Sequence, residues 1–262
     1  MAYDPQIVRT KFIPPLPRKR LLIRTRLAEL LEEVVSHKVT ILQAGPGYGK
    51  STVLAVNLSR ADVPSFWYCV NGADTDPRVF IAHLIWCLRS VYPTMGSRSL
   101  ALLEENYGPS ARRQAVDLLS NDLLDQMVDD SAIVIDDYHA VAKSPEVSEI
   151  VESLINTMPP QVHVVLSTRE RPSFGSLARW RVRGEALEIA EKDLAFTASE
   201  ICGLFSGPYQ HELTTAQVKV VQERTEGWII ALEMIWHALR EALGVVHAHA
   251  VFARECFRLP GP

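Results

Sequence analysis

The stretch that decides the fold is "QAGPGYGKST", residues 43–52. It follows a short apolar run, "KVTIL" at 38–42, and precedes the helix-compatible run "VLAVNL" at 53–58. The spacing matches the phosphate-binding pattern G-x-x-x-x-G-K-[ST], with Ala44 in place of the first glycine. Because such loops join a strand to the N-terminus of a helix, the stretch predicts a phosphate site at that junction.

Each position in this loop has a physical task. Glycine lets backbone N–H groups converge on phosphate oxygens, and the loop contains Gly45, Gly47 and Gly49. Lys50 is predicted to neutralise the β- and γ-phosphates, and Ser51 to bind Mg²⁺. Thr52 lies on the predicted first helical turn, where it can contact the α-phosphate. A plain glycine- and proline-rich turn is the alternative, but it requires neither a lysine nor a hydroxyl after its last glycine.

A second motif, "AIVIDDYH" at 132–139, is an apolar strand that ends on two carboxylates. Asp136 is predicted to hold the Mg²⁺ shell, and Asp137 to orient or activate the attacking water. The alternative is an ordinary strand followed by an acidic turn, which would have the same sequence pattern. Its position about 85 residues after Ser51 favours the catalytic interpretation. We expect His139 to be a local hydrogen-bonding residue rather than a catalyst.

A third apolar run, within "VHVVLSTRERP" at 162–172, leads into Ser167, Thr168 and Arg169. A polar residue followed by an arginine can contact the γ-phosphate at this place, and Arg169 is therefore a candidate site residue. The alternative is a solvated strand end.

Apolar runs and helical patterns alternate along the first three quarters of the chain, which indicates an α/β fold with a parallel sheet. After residues 193–197 the pattern becomes helical only, beginning with the capping-box residues Thr197 and Glu200. The predicted organisation is an extended N-terminal arm, an α/β core, a small helical module and a tail, at 1–20, 21–195, 196–246 and 247–262.

Composition excludes several classes of protein. With 262 residues and 47% hydrophobic residues, the chain can bury a core. The net charge of −4 gives no basic field, so we expect no direct DNA binding from this chain. The four cysteines form no CxxC pair, and His247 and His249 lack a third ligand nearby, so we expect no zinc or disulfide framework. Without a signal sequence or a membrane span, a cytoplasmic location is expected.

Several separate stretches together resemble one known family. They are "RTKFIPP" (9–15), "IRTRL" (23–27), "GPGYGKST" (45–52), "FWYCVNGADTDPRVFIAHL" (66–84), "VIDDYH" (134–139), "MPPQVHVVLSTRERP" (158–172), "LARWRVRGEALEI" (177–189), "DLAFTASE" (193–200) and "RTEGWIIALEM" (224–234). In this order they resemble the nucleotide-binding, NB-ARC/AAA-like module of MalT-like LuxR-family regulators, within the STAND class of P-loop NTPases.

The resemblance implies an ASCE-type P-loop NTPase: a parallel five-stranded sheet flanked by helices, followed by a small all-helical module. It implies that ATP or ADP is held between the two parts with Mg²⁺. The site residues that it implies are Arg24 near the base, Tyr48, Lys50 and Ser51 in the loop, Asp136 and Asp137 as the acidic pair, Arg169 as a sensor, and Gly227 and Trp228 near the adenine. For Trp228, a core aromatic on an amphipathic helix is an equal alternative.

The function implied by the resemblance is an ATP/ADP switch with slow hydrolysis and self-association in the ATP state. Full-length members of the family carry sensor and DNA-binding domains that have no match here, so we expect a switch module without them. A P-loop small-molecule kinase and a non-catalytic scaffold are the alternatives. A GTPase is disfavoured because no NKxD motif occurs.

Overall fold

Five short apolar runs form one parallel sheet. The strands are β1 (Val39–Gln43), β2 (Ser65–Cys69), β3 (Ser131–Asp136), β4 (Val162–Thr168) and β5 (Ala186–Ala190). Their order is β2-β3-β4-β1-β5, and every neighbouring pair is parallel. Parallel neighbours need long crossover connections, and helices provide them here. The predicted α/β fold with a five-stranded parallel sheet is confirmed.

The computed structural model describes residues 6–16, 21–106 and 108–241. The chain divides into two compact units, whose described parts are 6–16 with 24–194, and 21–23 with 195–241. The first unit contains the sheet. The expected tail at 247–262, with His247 and His249, lies outside the described residues, as does part of the expected arm at 1–20. The predicted segmentation of the chain stays a prediction.

Helices cover both faces of the sheet in the first unit. They are α1 (Thr25–Glu32), α2 (Lys50–Arg60), α3 (Pro77–Leu88), α4 (Ser97–Glu105), α5 (Pro109–Gln126), α6 (Pro145–Thr157), α7 (Leu177–Val182) and α8 (Glu191–Leu194). Helix α6 begins with a sequence typical of helix starts, Ser144 followed by Pro145. Ser144 accepts a hydrogen bond from the Val147 amide, and the proline occupies the first turn, where its missing N–H costs no bond.

Three helices of the first unit, α4, α7 and the four-residue α8, have no counterpart in the sequence-based expectations. The first, α4, follows Gly96, whose φ of +66° lies in the left-handed region, and it buries only Ser99 and Leu103. The second, α7, has six residues, which is too short for a helical period to show in the sequence.

The two faces of the sheet bury separate hydrophobic clusters. Along β3, Ile133 and Ile135 belong to one cluster, whereas Ala132 and Val134 belong to the other. This division follows from the alternation of side chains across a strand. Because both faces are covered, β3 and β4 are buried along their whole length, and their sequences are mostly apolar, at 132–135 and 164–166.

The described part of the N-terminal arm contains a short 3₁₀ turn at Arg9–Phe12. The sequence predicts an extended arm at these residues. Lys11 explains the position of the turn, because its Nζ lies 2.6 Å from the fully buried Asp74 carboxylate. Phe12 packs edge-on against Tyr68 of β2. A buried ion pair and an aromatic contact therefore hold the turn on the first unit.

The second unit has its own apolar core. Its helices are α9 (Ala198–Ser206), α10 (Thr215–Thr225) and the helical residues 229–241. Their buried side chains include Ile201, Phe205 and Leu232. Capping boxes at Thr197 and Thr214 begin α9 and α10. In the described part of the chain, none of the helices combines the length and apolar composition that crossing a membrane requires.

Candidate phosphate-binding site

The loop between β1 and α2 has the backbone that its glycines predict. Gly47 and Gly49 have φ values of +78° and +76°, in the left-handed region that strains a residue with a side chain. Gly49 is the N-cap of α2, and its carbonyl accepts the first helical hydrogen bond from Val53 at 2.8 Å. Because α2 begins at Lys50, the lysine and the following hydroxyl residues stand on the first turn of this helix.

Lys50 folds back over the loop. Its Nζ donates hydrogen bonds to the carbonyl oxygens of Ala44 at 2.8 Å and Gly45 at 3.0 Å. Burial lowers the pKa of the Lys50 ammonium; Asp137 raises that pKa and Arg169 lowers it. The ammonium is therefore bonded to two carbonyl oxygens of the loop and interacts with the charges of Asp137 and Arg169.

Ser51 connects the loop to the acidic strand end. Its Oγ donates a hydrogen bond to Oδ1 of Asp136 at 3.0 Å, although the two residues are 85 positions apart. The same Oδ1 accepts the Asp137 amide at 3.0 Å. Burial raises the pKa of the Asp136 carboxyl, while the hydroxyls of Ser167 and Ser51 lower it. The carboxylate is thus buried and held by two donors.

A hydroxyl beside a carboxylate fits Mg²⁺, which prefers oxygen ligands and keeps several waters. Among the described residues, no group of three or more histidine, cysteine, aspartate or glutamate side chains is placed to hold a metal ion. A site made of Ser51 and Asp136 alone would depend on phosphate oxygens for further ligands. The donor set therefore fits Mg²⁺ bound together with a nucleotide.

Asp137 lies one residue beyond β3, with a φ of +58° that aspartate tolerates better than most residues. Its side chain is about half exposed, and Oδ1 lies 3.8 Å from Nδ1 of His139. We expected local hydrogen bonds from His139, but its buried Nδ1 makes none. Burial, with Arg169 nearby, lowers the pKa of the imidazole. A neutral imidazole thus lies beside an accessible carboxylate.

The end of β4 lies next to the loop. The carbonyl oxygen of Thr168 accepts a hydrogen bond from the Ala44 amide at 3.2 Å. Arg169 follows at once and is exposed. Its charge lowers the pKa of both Lys50 and His139, so the guanidinium lies in the same group of charges. The structure thus brings Arg169 to the loop, and its role as a sensor stays a prediction.

Two further loop residues, Tyr48 and Thr52, are partly buried. Tyr48 packs at the border of the cluster that includes Leu42 and Leu54, and Thr52 stands on the first turn of α2. Their predicted contacts with a nucleotide stay predictions.

The two residues predicted near the base lie in different units. Arg24 precedes α1 in the first unit and is buried, and its Nη1 donates to the Leu194 carbonyl at 2.6 Å. Trp228 lies in the second unit, partly buried, and its amide donates to the Thr225 carbonyl at 2.8 Å. Gly227 has a φ of +76°, and a Cβ there would lie 2.5 Å from backbone atoms of Phe196. The adenine contacts of Arg24 and Trp228 stay predictions.

Glu191 is a site residue that sequence reasoning missed. It follows β5 directly, and its Oε2 accepts a hydrogen bond from the Gly45 amide at 2.8 Å. A signal existed, because β5 pairs with β1 and parallel strands end at one edge of the sheet. A charged residue directly after the strand next to the loop was therefore a candidate.

Comparison with known proteins gives a consistent result. No protein-family model matches the chain. It is 28% identical over 234 residues to the serine/threonine-protein kinase PknK of Mycobacterium tuberculosis, covering 88% of this chain and 21% of the kinase. It is 28% identical over 218 residues to the HTH-type transcriptional regulator MalT of Vibrio campbellii, covering 82% of this chain and 23% of the regulator. The predicted resemblance to MalT-like regulators is confirmed.

Among solved structures, the chain resembles a signal transduction ATPase with numerous domains (STAND) that has a tetratricopeptide repeat sensor, from Pyrococcus horikoshii. The TM-score is 0.58 at 20% sequence identity, over 85% of this chain and 31% of the other. This chain spans only about a quarter of the length of its MalT and PknK relatives. It is therefore similar over most of its length to one segment of those proteins, and its fold is that of a P-loop NTPase.

Proposed function

We propose that the chain is an ATP- and ADP-binding switch module of a MalT-like transcriptional regulator, with slow ATP hydrolysis. The observation that carries this proposal is the contact between the phosphate loop and the acidic end of β3. Lys50 Nζ is hydrogen-bonded to a carbonyl oxygen of the loop, and Ser51 is hydrogen-bonded to Asp136. Similarity to MalT regulators over most of the chain supports the regulatory context.

In this proposal the chain supplies positioning and charge. The loop amides and Lys50 bind the phosphates. Ser51 and Asp136 hold Mg²⁺, which supplies positive charge to the phosphate oxygens. Asp137, which is accessible beside His139, orients the attacking water. Arg169 contacts the γ-phosphate and so distinguishes ATP from ADP.

Slow hydrolysis suits a switch, because each nucleotide state must last long enough to be read. We further propose that the ATP form self-associates. The small-molecule kinase alternative lacks any further substrate motif, and the kinase named among the relatives shares only 21% of its length with this chain. The scaffold alternative predicts no nucleotide binding at all, so a binding measurement separates it.

The test is calorimetric titration of the purified chain with ATP, ADP and GTP in the presence of Mg²⁺. We expect micromolar binding of the adenine nucleotides and much weaker binding of GTP. Lys50→Ala should abolish binding, because it removes the cation at the β/γ-phosphates. Lys219→Ala is the matched control, since Lys219 is an exposed lysine of α10 that pairs only loosely with Glu223. A folded wild-type chain that binds none of the three nucleotides would favour the scaffold.

A further inference from the structure

Both backbone polar groups of Gly45 are bonded to charged side chains of opposite sign. Its carbonyl oxygen accepts a hydrogen bond from Lys50 Nζ at 3.0 Å, and its N–H donates to Glu191 Oε2 at 2.8 Å. The two contacts fix the first residues of the loop, at the point where the chain leaves β1. The lysine belongs to the phosphate-binding motif, whereas no motif includes Glu191.

Sheet register explains how Glu191 reaches the loop. Gln43 of β1 pairs with Ala190 of β5, and these are the last paired residues of the two strands. On the opposite side of β1, the Ala44 amide continues the ladder by donating to the Thr168 carbonyl. The next amide, that of Gly45, points back towards β5, where the Glu191 side chain accepts it. The carboxylate therefore replaces the backbone carbonyl that a longer β5 would offer.

The contact is close. A Cβ built on Gly45 would lie 3.2 Å from Glu191 Oε2 and 3.7 Å from Cε2 of Tyr48. A glycine at this position thus allows the carboxylate and the tyrosine ring to pack directly against the loop backbone.

The charge of Glu191 acts on the phosphate site as well. Glu191 is exposed, and its charge raises the pKa of Lys50, so the carboxylate and the ammonium interact. Nucleotide phosphates bound by Lys50 would meet the same carboxylate, which repels them. Repulsion of this kind between partly solvated charges is modest and weakens with ionic strength.

We propose that Glu191 has two opposed effects on nucleotide binding: its hydrogen bond to Gly45 positions the phosphate loop, and its negative charge weakens the binding of phosphates. This inference rests on the proposed function. It makes Glu191 a positioning residue that also sets the affinity, so that bound nucleotide can leave and be exchanged.

Two substitutions separate the two effects. Glu191→Gln keeps an oxygen that accepts the Gly45 amide and removes the charge, so the Kd for ATP with Mg²⁺ should fall about two- to fivefold at low salt. Glu191→Ala removes the acceptor as well, and its Kd should be about three- to tenfold higher than that of Glu191→Gln. The gain from Glu191→Gln should shrink as salt is raised. Glu105→Gln, at the exposed end of α4, is the control for net charge.

Equal affinities of the Gln and Ala variants would overturn the positioning effect, and weaker binding by Glu191→Gln than by wild type would overturn the charge effect. Amide hydrogen exchange at Gly45, followed by NMR without nucleotide, tests positioning separately. Exchange should be slow in wild type and Glu191→Gln, and faster in Glu191→Ala. If wild type binds no nucleotide, the proposed function and the charge effect both fail, and the exchange result alone decides the positioning effect.

Discussion

At the scale of single residues, Asp136 places a carboxylate that is expected to bind Mg²⁺ in a buried position, which disfavours its charged form. Its carboxylate is 4% exposed, and burial raises its pKa. The charged form is therefore less stable in the folded chain than in water. The hydrogen bonds from Ser51 and the Asp137 amide offset only part of the cost of burying this charge, and we infer that the carboxylate serves to hold Mg²⁺. Sites of this kind trade stability for function.

Asp136→Asn should therefore stabilise the nucleotide-free chain. Both observed bonds, from Ser51 Oγ and from the Asp137 amide, end on Oδ1, so an asparagine carbonyl can accept both. At pH 7 we expect a gain of about 1–2 kcal/mol in the free energy of unfolding. Chemical denaturation of both proteins, monitored by circular dichroism, gives this difference.

The sign of the pH dependence follows from the raised pKa. Because the folded state keeps the Asp136 proton up to a higher pH than the unfolded state, wild type loses stability as pH rises through that interval. The advantage of Asp136→Asn should thus be greatest at neutral pH and shrink as pH falls towards about 4, the usual value for an unfolded aspartate. An advantage that is independent of pH would contradict this account. The same variant should lose Mg²⁺-dependent tightening of ATP binding.

At the scale of elements, the turn after α10 depends on one glycine. Gly227 has a φ of +76°, and a Cβ there would lie 2.5 Å from the Phe196 nitrogen and oxygen. The Phe196 amide also donates to the Gly227 carbonyl at 2.9 Å. The backbone of residues 195–196 and that of the turn therefore approach too closely for any side chain.

Gly227→Ala should destabilise the second unit by about 2–4 kcal/mol, from the left-handed backbone and from the clash. Thermal denaturation should show an earlier transition. Gly203→Ala is the matched control, because Gly203 lies inside α9 and its added Cβ would meet Leu22 at an ordinary 3.5 Å. Since alanine favours a helix over glycine by up to about 1 kcal/mol, this control should be neutral or stabilising. A similar loss in both variants would argue against the clash.

The elements also show what the sequence could reveal. The strands were predictable because a sheet covered on both faces requires mostly apolar strands, as in β3 and β4. The loop was predictable because phosphate chemistry restricts residue types at fixed spacing. The helices α4 and α7 were not predictable, since one has a narrow buried face and the other is too short. Glu191 belongs to no motif, because its partner is a backbone amide; only its position directly after the strand next to β1 could have indicated it.

At the scale of the whole molecule, the chain consists of two units with separate cores. A switch needs two states that a ligand favours differently. If the ATP form self-associates, a variant that binds ATP without hydrolysing it should accumulate in the associated state. Asp137→Asn is suited to this purpose, because asparagine tolerates the φ of +58° at this position and the side chain is half exposed.

We therefore expect Asp137→Asn to bind ATP with near wild-type affinity and to form a larger species with ATP but not with ADP. Its turnover should fall by at least about a hundredfold, the lower end of the usual range for removal of such a group. Light scattering coupled to size exclusion measures the species, and phosphate release measures turnover. Lys50→Ala should stay at the smaller size with either nucleotide, because it cannot bind the phosphates. If Asp137→Asn loses ATP binding, the hypothesis that Asp137 acts only in turnover is rejected. Normal binding with one size in ATP and ADP would reject self-association and leave a switch that acts within a single chain.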